Sequence, residues 1–274
     1  MRVQFKPVSN ARAVRLPAVA GQFYPANPEE LMAQVNGFLT AAKPAMAGIP
    51  KAIIAPHAGY RYSGPVAGSA YAYLARGRDR FKRVVLLGPS HFVGFEGLAA
   101  SKATVFQSPL GAIPVDEEAL AQIRTLPQVT TLEAAHRDEH SLEVHLPFLQ
   151  VALGEFKLVP LVVGEATAER VGQVLNELWG GDETSIVVSS DLSHYHDYQT
   201  AQQIDGETAR RIELLDGQGL GGDQACGCQP IGGLLRAAKA HGLRCRAVDL
   251  RNSGDTSGHR DRVVGYGAFV LTPQ

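Results

Sequence analysis

The sequence predicts an α/β fold: a single-domain, three-layer sandwich with a central, mostly parallel or mixed sheet and helices on both faces, spanning residues 1–274. Three observations predict it. Apolar runs of the length of one buried strand recur at 52–55, 84–87, 157–163 and 185–188. Segments with helical spacing separate them, an alternation that builds parallel strands covered on both faces. Three of these runs end in residues that carry chemistry: His57, His91, and Asp191 with His194. In an open α/β sheet, ligands bind in the crevice beyond the carboxyl ends of the strands, which is where these side chains would fall.

Each element follows from local chemistry. Residues 1–16 carry little pattern and suit the surface or an edge strand. Asn27-Pro28-Glu29-Glu30 reads as a helix start, with Asn27 as N-cap, Pro28 at the first helical position and acids in the first turn; Leu31, Val35, Phe38 and Leu39 supply its apolar face. After the first strand comes a loop punctuated by Gly59 and Gly64, and residues 65–74, rich in Ala and other small residues, suit a helix packed close against a sheet. Residues 94–116 alternate short apolar groups with Gly and Pro, a pattern of short antiparallel strands or a loop excursion. Asp116 starts the next helix, with Leu120, Ile123 and Leu126 at helical spacing.

Leu142, Leu146 and Leu149 predict a helix starting near His140 or Ser141, distorted locally at Pro147, whose ring would clash with the carbonyl of residue 143. The run 157–163 contains Pro160 and is expected to be bulged or near an edge. Helices over 168–178, 200–215 and 229–241, the last stopped by Gly242, and strands over 244–250 and 262–271 complete the chain. No repeat, low-complexity tract or linker divides it.

Composition excludes several classes. The 274 residues are 45% hydrophobic and 19% charged, the balance of a globular protein with a real core. A formal net charge of −1 gives no global attraction to nucleic acid or to an acidic membrane. Three cysteines, Cys226, Cys228 and Cys245, make neither an even disulfide framework nor paired CxxC motifs. The amino-terminal residues lack the apolar stretch of a secretory signal, and no run reaches the ~18 apolar residues of a membrane span. A reducing cytoplasm is the expected location.

His57 and His91 stand at matching strand ends beside Pro and Gly or Ser, where a backbone can approach a ligand. Histidine is the commonest transition-metal ligand, so the pair points to a metal or to catalysis rather than to two loop hydrogen bonds. Asp191 is read as a carboxylate ligand, as an acceptor orienting a ligating imidazole, or as the N-cap of the following turn, and His194 as a general acid or base. Cys226 and Cys228 lie just before a helix whose N-terminus favours a thiolate, and spacing does not choose between them. Asp138-Glu-His-Ser-Leu-Glu-Val-His145 places Glu139 and Glu143, and His140 and Glu143, on shared helix faces. One helix is thus expected to bring a His and a Glu to the pocket mouth. His136 reads as a solvated polar residue, His196, His241 and His259 as surface groups, and Cys245 as structural. No dinucleotide, P-loop or nucleophile-elbow pattern occurs.

Six stretches together resemble the Memo family, whose microbial members are called AmmeMemoRadiSam system protein B. They are residues 18–25, Ala55-Pro-His-Ala-Gly-Tyr60, Leu87-Gly-Pro-Ser-His91, residues 138–147, Val188-Ser-Ser-Asp-Leu-Ser-His194 and Cys226-Gly-Cys-Gln-Pro-Ile231. The resemblance implies a fold similar to the class III extradiol dioxygenases, which hold iron(II) with two histidines and a glutamate, and implies a cysteine in the place of that glutamate. Carried onto this chain, the implied metal ligands are His57, His91 and Cys226, the last identified by the Pro-Ile-Gly that follows it.

Two functions follow as expectations. The first is a redox enzyme using iron(II), or else copper, or zinc with hydrolysis. His194 and Asp191, with His145 or Glu143, would serve as its catalytic groups, and a small molecule or peptide as its substrate. The second is a non-catalytic binding or scaffold protein using the same pocket. The family name further implies a radical-SAM protein as a partner in one pathway, with neither nucleic acid nor membrane involved.

Overall fold

The computed structural model describes residues 13–256 and 258–274. In chain order the elements are β1 (Val14–Arg15), α1 (Pro28–Ala41), β2 (Ala52–Ala55), α2 (Tyr60–Leu74), β3 (Arg83–Pro89), β4 (Leu98–Ala100), β5 (Val105–Ser108), β6 (Gly111–Pro114), α3 (Glu117–Ile123), β7 (Val129–Thr131) and α4 (Glu133–Arg137). There follow α5 (His145–Leu153), β8 (Lys157–Val163), α6 (Ala168–Glu177), β9 (Thr184–Ser189), β10 (His194–His196), α7 (Tyr198–Glu213), α8 (Cys228–Ala240), β11 (Leu243–Asn252), α9 (Ser253–Thr256) and β12 (Val263–Pro273).

The main sheet is mixed. Its centre is the parallel set β2-β9-β3-β8, extended on one side by β12, which pairs antiparallel with β2, β10 and β11, and on the other by β4 and β7. Every residue of β2 and β9 is buried, as expected of strands covered on both faces. Helices α1, α2 and α5 pack together, α6 packs on α8, and α7 lies against β11 and β12. The expected three layers are present, with a small separate sheet of β1, β5 and β6.

Local chemistry explains the termini. Asn27 caps α1 through Glu30 N–H at 3.0 Å, and Asp116 caps α3 through Ala119 N–H at 3.1 Å. The close approach of α2 is to α1: a Cβ on Gly68 would lie 2.9 Å from the Phe38 carbonyl oxygen.

Four expectations are corrected. The loop expected from Ala58 to Gly64 is mostly helix, because α2 starts at Tyr60, whose N–H donates to Phe23 O at 2.7 Å. The helix expected from His140 starts at His145, which puts Pro147 in the first turn, where its missing N–H costs nothing. β8 is interior rather than near an edge. Pro160 is tolerated there because β4 covers only Leu161–Val163, so the proline lies just past the end of that pairing. His136 is buried, its Nε2 donating to Ala99 O at 2.9 Å. Residues 1–12 of the amino-terminal segment lie outside the described residues.

Candidate metal centre

Because β2, β9 and β3 are adjacent and parallel, the residues just beyond their carboxyl ends meet at one edge of the sheet. His57 follows β2, Asp191 follows β9 and His91 follows β3; Cys226 arrives from the turn before α8. The donor atoms of His57, His91 and Cys226 lie within 4.8 Å of one another. The His57 and His91 rings are 5.0 Å apart and nearly perpendicular.

Hydrogen bonds fix which nitrogen each histidine offers. His57 Nδ1 lies 2.6 Å from Ser189 Oγ, and that hydroxyl donates its single proton to Ser141 O at 2.7 Å. Ser189 can therefore only accept from His57, so Nδ1 carries the hydrogen and Nε2 keeps its lone pair. His91 Nδ1 lies 2.9 Å from Glu139 Oε1. The Glu139 carboxyl is held down at about 2: its burial is outweighed by hydrogen bonds and charge from His91 and by the Ser141 N–H. It is an acceptor only, which again leaves Nε2 free. Burial, reinforced by the surrounding imidazoles, lowers His57 well below the ordinary histidine value, so its ring is neutral at neutral pH and could offer Nε2 to an ion.

Cys226 Sγ lies 3.4 Å from His57 Nε2 and 3.7 Å from Asp191 O. Burial, with the Asp191 charge adding to it, pushes the thiol up to about 12. Burial thus outweighs the expected influence of the helix N-terminus, and the thiol holds its proton at neutral pH; an ion bound here would have to displace that proton. Two imidazole Nε2 atoms, on rings whose Nδ1 atoms are already engaged, and a thiol beside them form a donor set that fits a transition ion.

Asp191 holds the loop rather than joining the donors: its Oδ1 accepts from the N–H of His57 at 2.8 Å and of Ala58 at 3.3 Å. Burial lifts its carboxyl to about 7 against those two N–H groups. His194, at the start of β10, is held below the ordinary value by burial, and the Leu192 backbone works against that shift.

Neither Glu143 nor His145 is among the donor atoms that lie within 4.8 Å of one another. Glu143 is fully buried and accepts from the Arg15 guanidinium, Ala18 N–H (2.7 Å), Val19 N–H (2.9 Å) and Tyr24 O–H (2.6 Å). His145 is buried against Tyr71, whose hydroxyl is 2.9 Å from its Nδ1. The same segment supplies Glu139 and His140 instead. His140 stacks on His91 with ring centroids 4.6 Å apart, and burial lowers it to about 4. Pro147 is the sequence signal that could have found them, since a helix that admits it in its first turn starts at His145 and leaves residues 139–144 outside it.

A cavity of about 610 Å³ opens at the opposite edge of the sheet, beside Lys82, Arg83 and Lys157 before or at the starts of β3 and β8, and contains none of these donors. No described helix is long and apolar enough to cross a membrane.

A family model described as Memo-like protein matches residues 15–270. A MEMO1 family protein of Methanopyrus kandleri is 36% identical over 94% of this chain and 98% of its own. Another, of Saccharolobus solfataricus, is 37% identical over 92% of this chain and 97% of its own. Among solved structures, an uncharacterized protein, JW3007 of Escherichia coli K12, superposes with a TM-score of 0.52 over 81% of this chain and all of its own at 14% identity, a likeness of fold alone.

Proposed function

The chain belongs to the Memo family, and from that premise we propose that it is a metal-dependent redox protein holding iron(II), or else copper, on His57, His91 and Cys226. The observation that carries this reading is the convergence of three donor atoms within 4.8 Å, with both histidine Nδ1 atoms already engaged. Bound there, the ion would supply open coordination positions and one-electron chemistry toward oxygen or a chelating small molecule.

The chain's own residues have distinct tasks in this reading. Ser189 and Glu139 orient the two imidazoles, and Asp191 pins the His57 loop through two N–H groups. His194 is the candidate proton carrier, with Asp191 as the second group able to exchange a proton near neutral pH. Zinc with hydrolysis is the subsidiary assignment for the same donors. A small molecule or peptide is the ligand class, and a radical-SAM protein of the same pathway the proposed partner.

Metal content tests the reading directly. Anaerobically purified protein is expected to carry iron or copper near one per chain, and to lose it in His57→Ala, His91→Ala and Cys226→Ser. No uptake by the wild type, even after anaerobic loading, sinks the proposal. Phe92 and Tyr195, each 63% exposed on the residue next to His91 or His194, favour a second reading, a scaffold that docks a partner over the centre. A scaffold would keep that partner in the His57→Ala and His91→Ala variants.

A further inference from the structure

The cavity of about 610 Å³ at the amino ends of β3 and β8 holds an arginine whose plane is fixed and whose outer edge is free. Arg83 Nε donates to Asp116 Oδ2 at 2.8 Å, while Asp116 Oδ1 accepts the Ala119 N–H at 3.1 Å. The Asp116 side chain is 4% exposed and that of Arg83 24%. Burial works to raise the Asp116 carboxyl, yet the Arg83 hydrogen bond, the Ala119 N–H and the charges of Arg83 and Lys157 hold it below its ordinary value. The ion pair therefore persists at neutral pH and orients the guanidinium. Arg83 Nη1 and Nη2 have no protein partner among the described residues. Those two nitrogens form an edge that can take a carboxylate with two parallel hydrogen bonds.

Lys157 stands beside that edge. Arg83 and Lys157 are partners in the parallel pairing of β3 and β8, so their side chains leave the same face of the sheet. Lys82 and Lys157 are exposed, line the cavity, and have ammonium groups without a partner among the described residues. Against them stand Glu155, also unpaired, and Glu183, whose Oε1 already accepts from Gly181 N–H at 3.1 Å and Thr184 Oγ1 at 2.7 Å. With Arg83 paired to Asp116 the charges nearly balance, which suits one added negative charge and disfavours two. Ala112, Pro114 and Phe156 add an apolar wall. The metal centre is remote: Arg83 starts β3 and His91 follows its end, roughly 25 Å away at about 3.3 Å per residue.

We propose that this cavity binds a small-molecule carboxylate with an apolar or aromatic body. The carboxylate lies across the Nη1–Nη2 edge of Arg83 with the Lys157 ammonium beside it, and the body rests on Ala112, Pro114 and Phe156. The volume falls within the range of about 300–1,000 Å³ usual for small-molecule sites. Binding here needs no metal, so the assignment is independent of the redox reading above.

The test is calorimetric titration of the full chain with 2-naphthoate at physiological salt, beside its neutral analogue 2-acetylnaphthalene and the dianion 2-naphthyl phosphate. Wild type, Arg83→Lys, Ala112→Trp and His57→Ala are compared, with an unfolding midpoint for each. Arg83→Lys keeps a cation for Asp116 but loses the two-pronged edge, a change that a diffuse attraction between charges would not register. Ala112→Trp, at an exposed position of β6, fills the space without touching the ion pair, and so reads the site even if Arg83→Lys is less stable. Naphthoate affinity is expected to fall roughly tenfold or more in both variants, the size of a lost charge-assisted hydrogen bond in the first. It should be unchanged in His57→Ala, and the neutral and dianionic analogues should bind the wild type at least about tenfold more weakly. Naphthoate binding that survives both Arg83→Lys and Ala112→Trp overturns the proposal, as does no binding by the wild type. Loss in His57→Ala alone would place the carboxylate at the metal centre instead, and equal binding of the phosphate would overturn the preference for a single charge.

Discussion

Glu139 grips His91 twice, accepting the backbone N–H at Oε2 (2.6 Å) and the Nδ1 hydrogen at Oε1 (2.9 Å). One carboxylate thus sets both the position of the loop after β3 and the tautomer of the ring it carries. Glu139→Gln keeps an acceptor but not two charged ones, and its amide can turn an N–H toward Nδ1. Metal affinity is expected to fall roughly 10- to 100-fold with the fold intact, the usual cost of losing the group that orients a ligating imidazole. Chelator competition measures it; wild-type affinity in Glu139→Gln would mean that the ring is held by packing on His140 alone.

Cys226 is placed by its neighbour. A Cβ on Gly227 would lie 2.6 Å from Ser189 O and 2.7 Å from Ser190 Cβ, both at the carboxyl end of β9. Gly227→Ala must therefore push the turn away from the strand and carry the thiol with it. A metal affinity at least tenfold weaker is expected, with a stability loss of about 1–3 kcal/mol from overpacking. Chelator competition beside a urea unfolding curve reads both; an unchanged affinity would show that the turn yields in another direction.

The parallel core and the donor strands were legible because buried strands and their terminal His, His and Asp are contiguous in sequence. His57, His91 and Asp191 need only adjacency of β2, β9 and β3 to meet. In the segment 138–147 the leucine spacing predicts a helix from His140 or Ser141, whereas the helix starts at His145. Its real conformation depends on contacts far away in sequence: Glu139 with His91, Glu143 with Arg15, Ser141 with Ser189. The periodicity of one segment does not report which of its carboxylates will meet a cation from another. His136 was misjudged for the same reason, since its acceptor is the Ala99 carbonyl on β4.

Glu143 is a structural anchor in this geometry, and its variants should show it. Arg15, Ala18, Val19 and Tyr24 all donate to one buried carboxylate, which ties the segment before α1 to the turn before α5. Removing the charge leaves Arg15, 7% exposed, without its counter-ion. Glu143→Gln is expected to lose about 3 kcal/mol or more of stability, the cost of breaking a buried pair from one side, while the folded variant still binds metal. Denaturant unfolding and metal stoichiometry separate the two effects; full stability with lost activity would return Glu143 to a chemical role.

His136 gives the fold a pH dependence independent of the centre. Burial lowers it to about 4 from an ordinary value of 6.5, with the Ala99 hydrogen bond only partly offsetting the shift, and its Nδ1 has no partner among the described residues. The unfolded chain takes up this proton near pH 6.5, whereas the folded chain resists until about pH 4. Between those values the unfolded state holds more protons, so stability must fall as pH falls, and the loss levels off below pH 4. The difference, 6.5 − 4 = 2.5, corresponds to at most roughly 3.5 kcal/mol at about 1.4 kcal/mol per unit. His136→Gln keeps a donor for Ala99 O and removes the titration. Its unfolding free energy should therefore decline less steeply than the wild type's between pH 6.5 and 4, whatever its value at pH 8. Parallel curves for the two proteins would mean that His136 is already protonated in the fold, and would place the acid sensitivity in other groups.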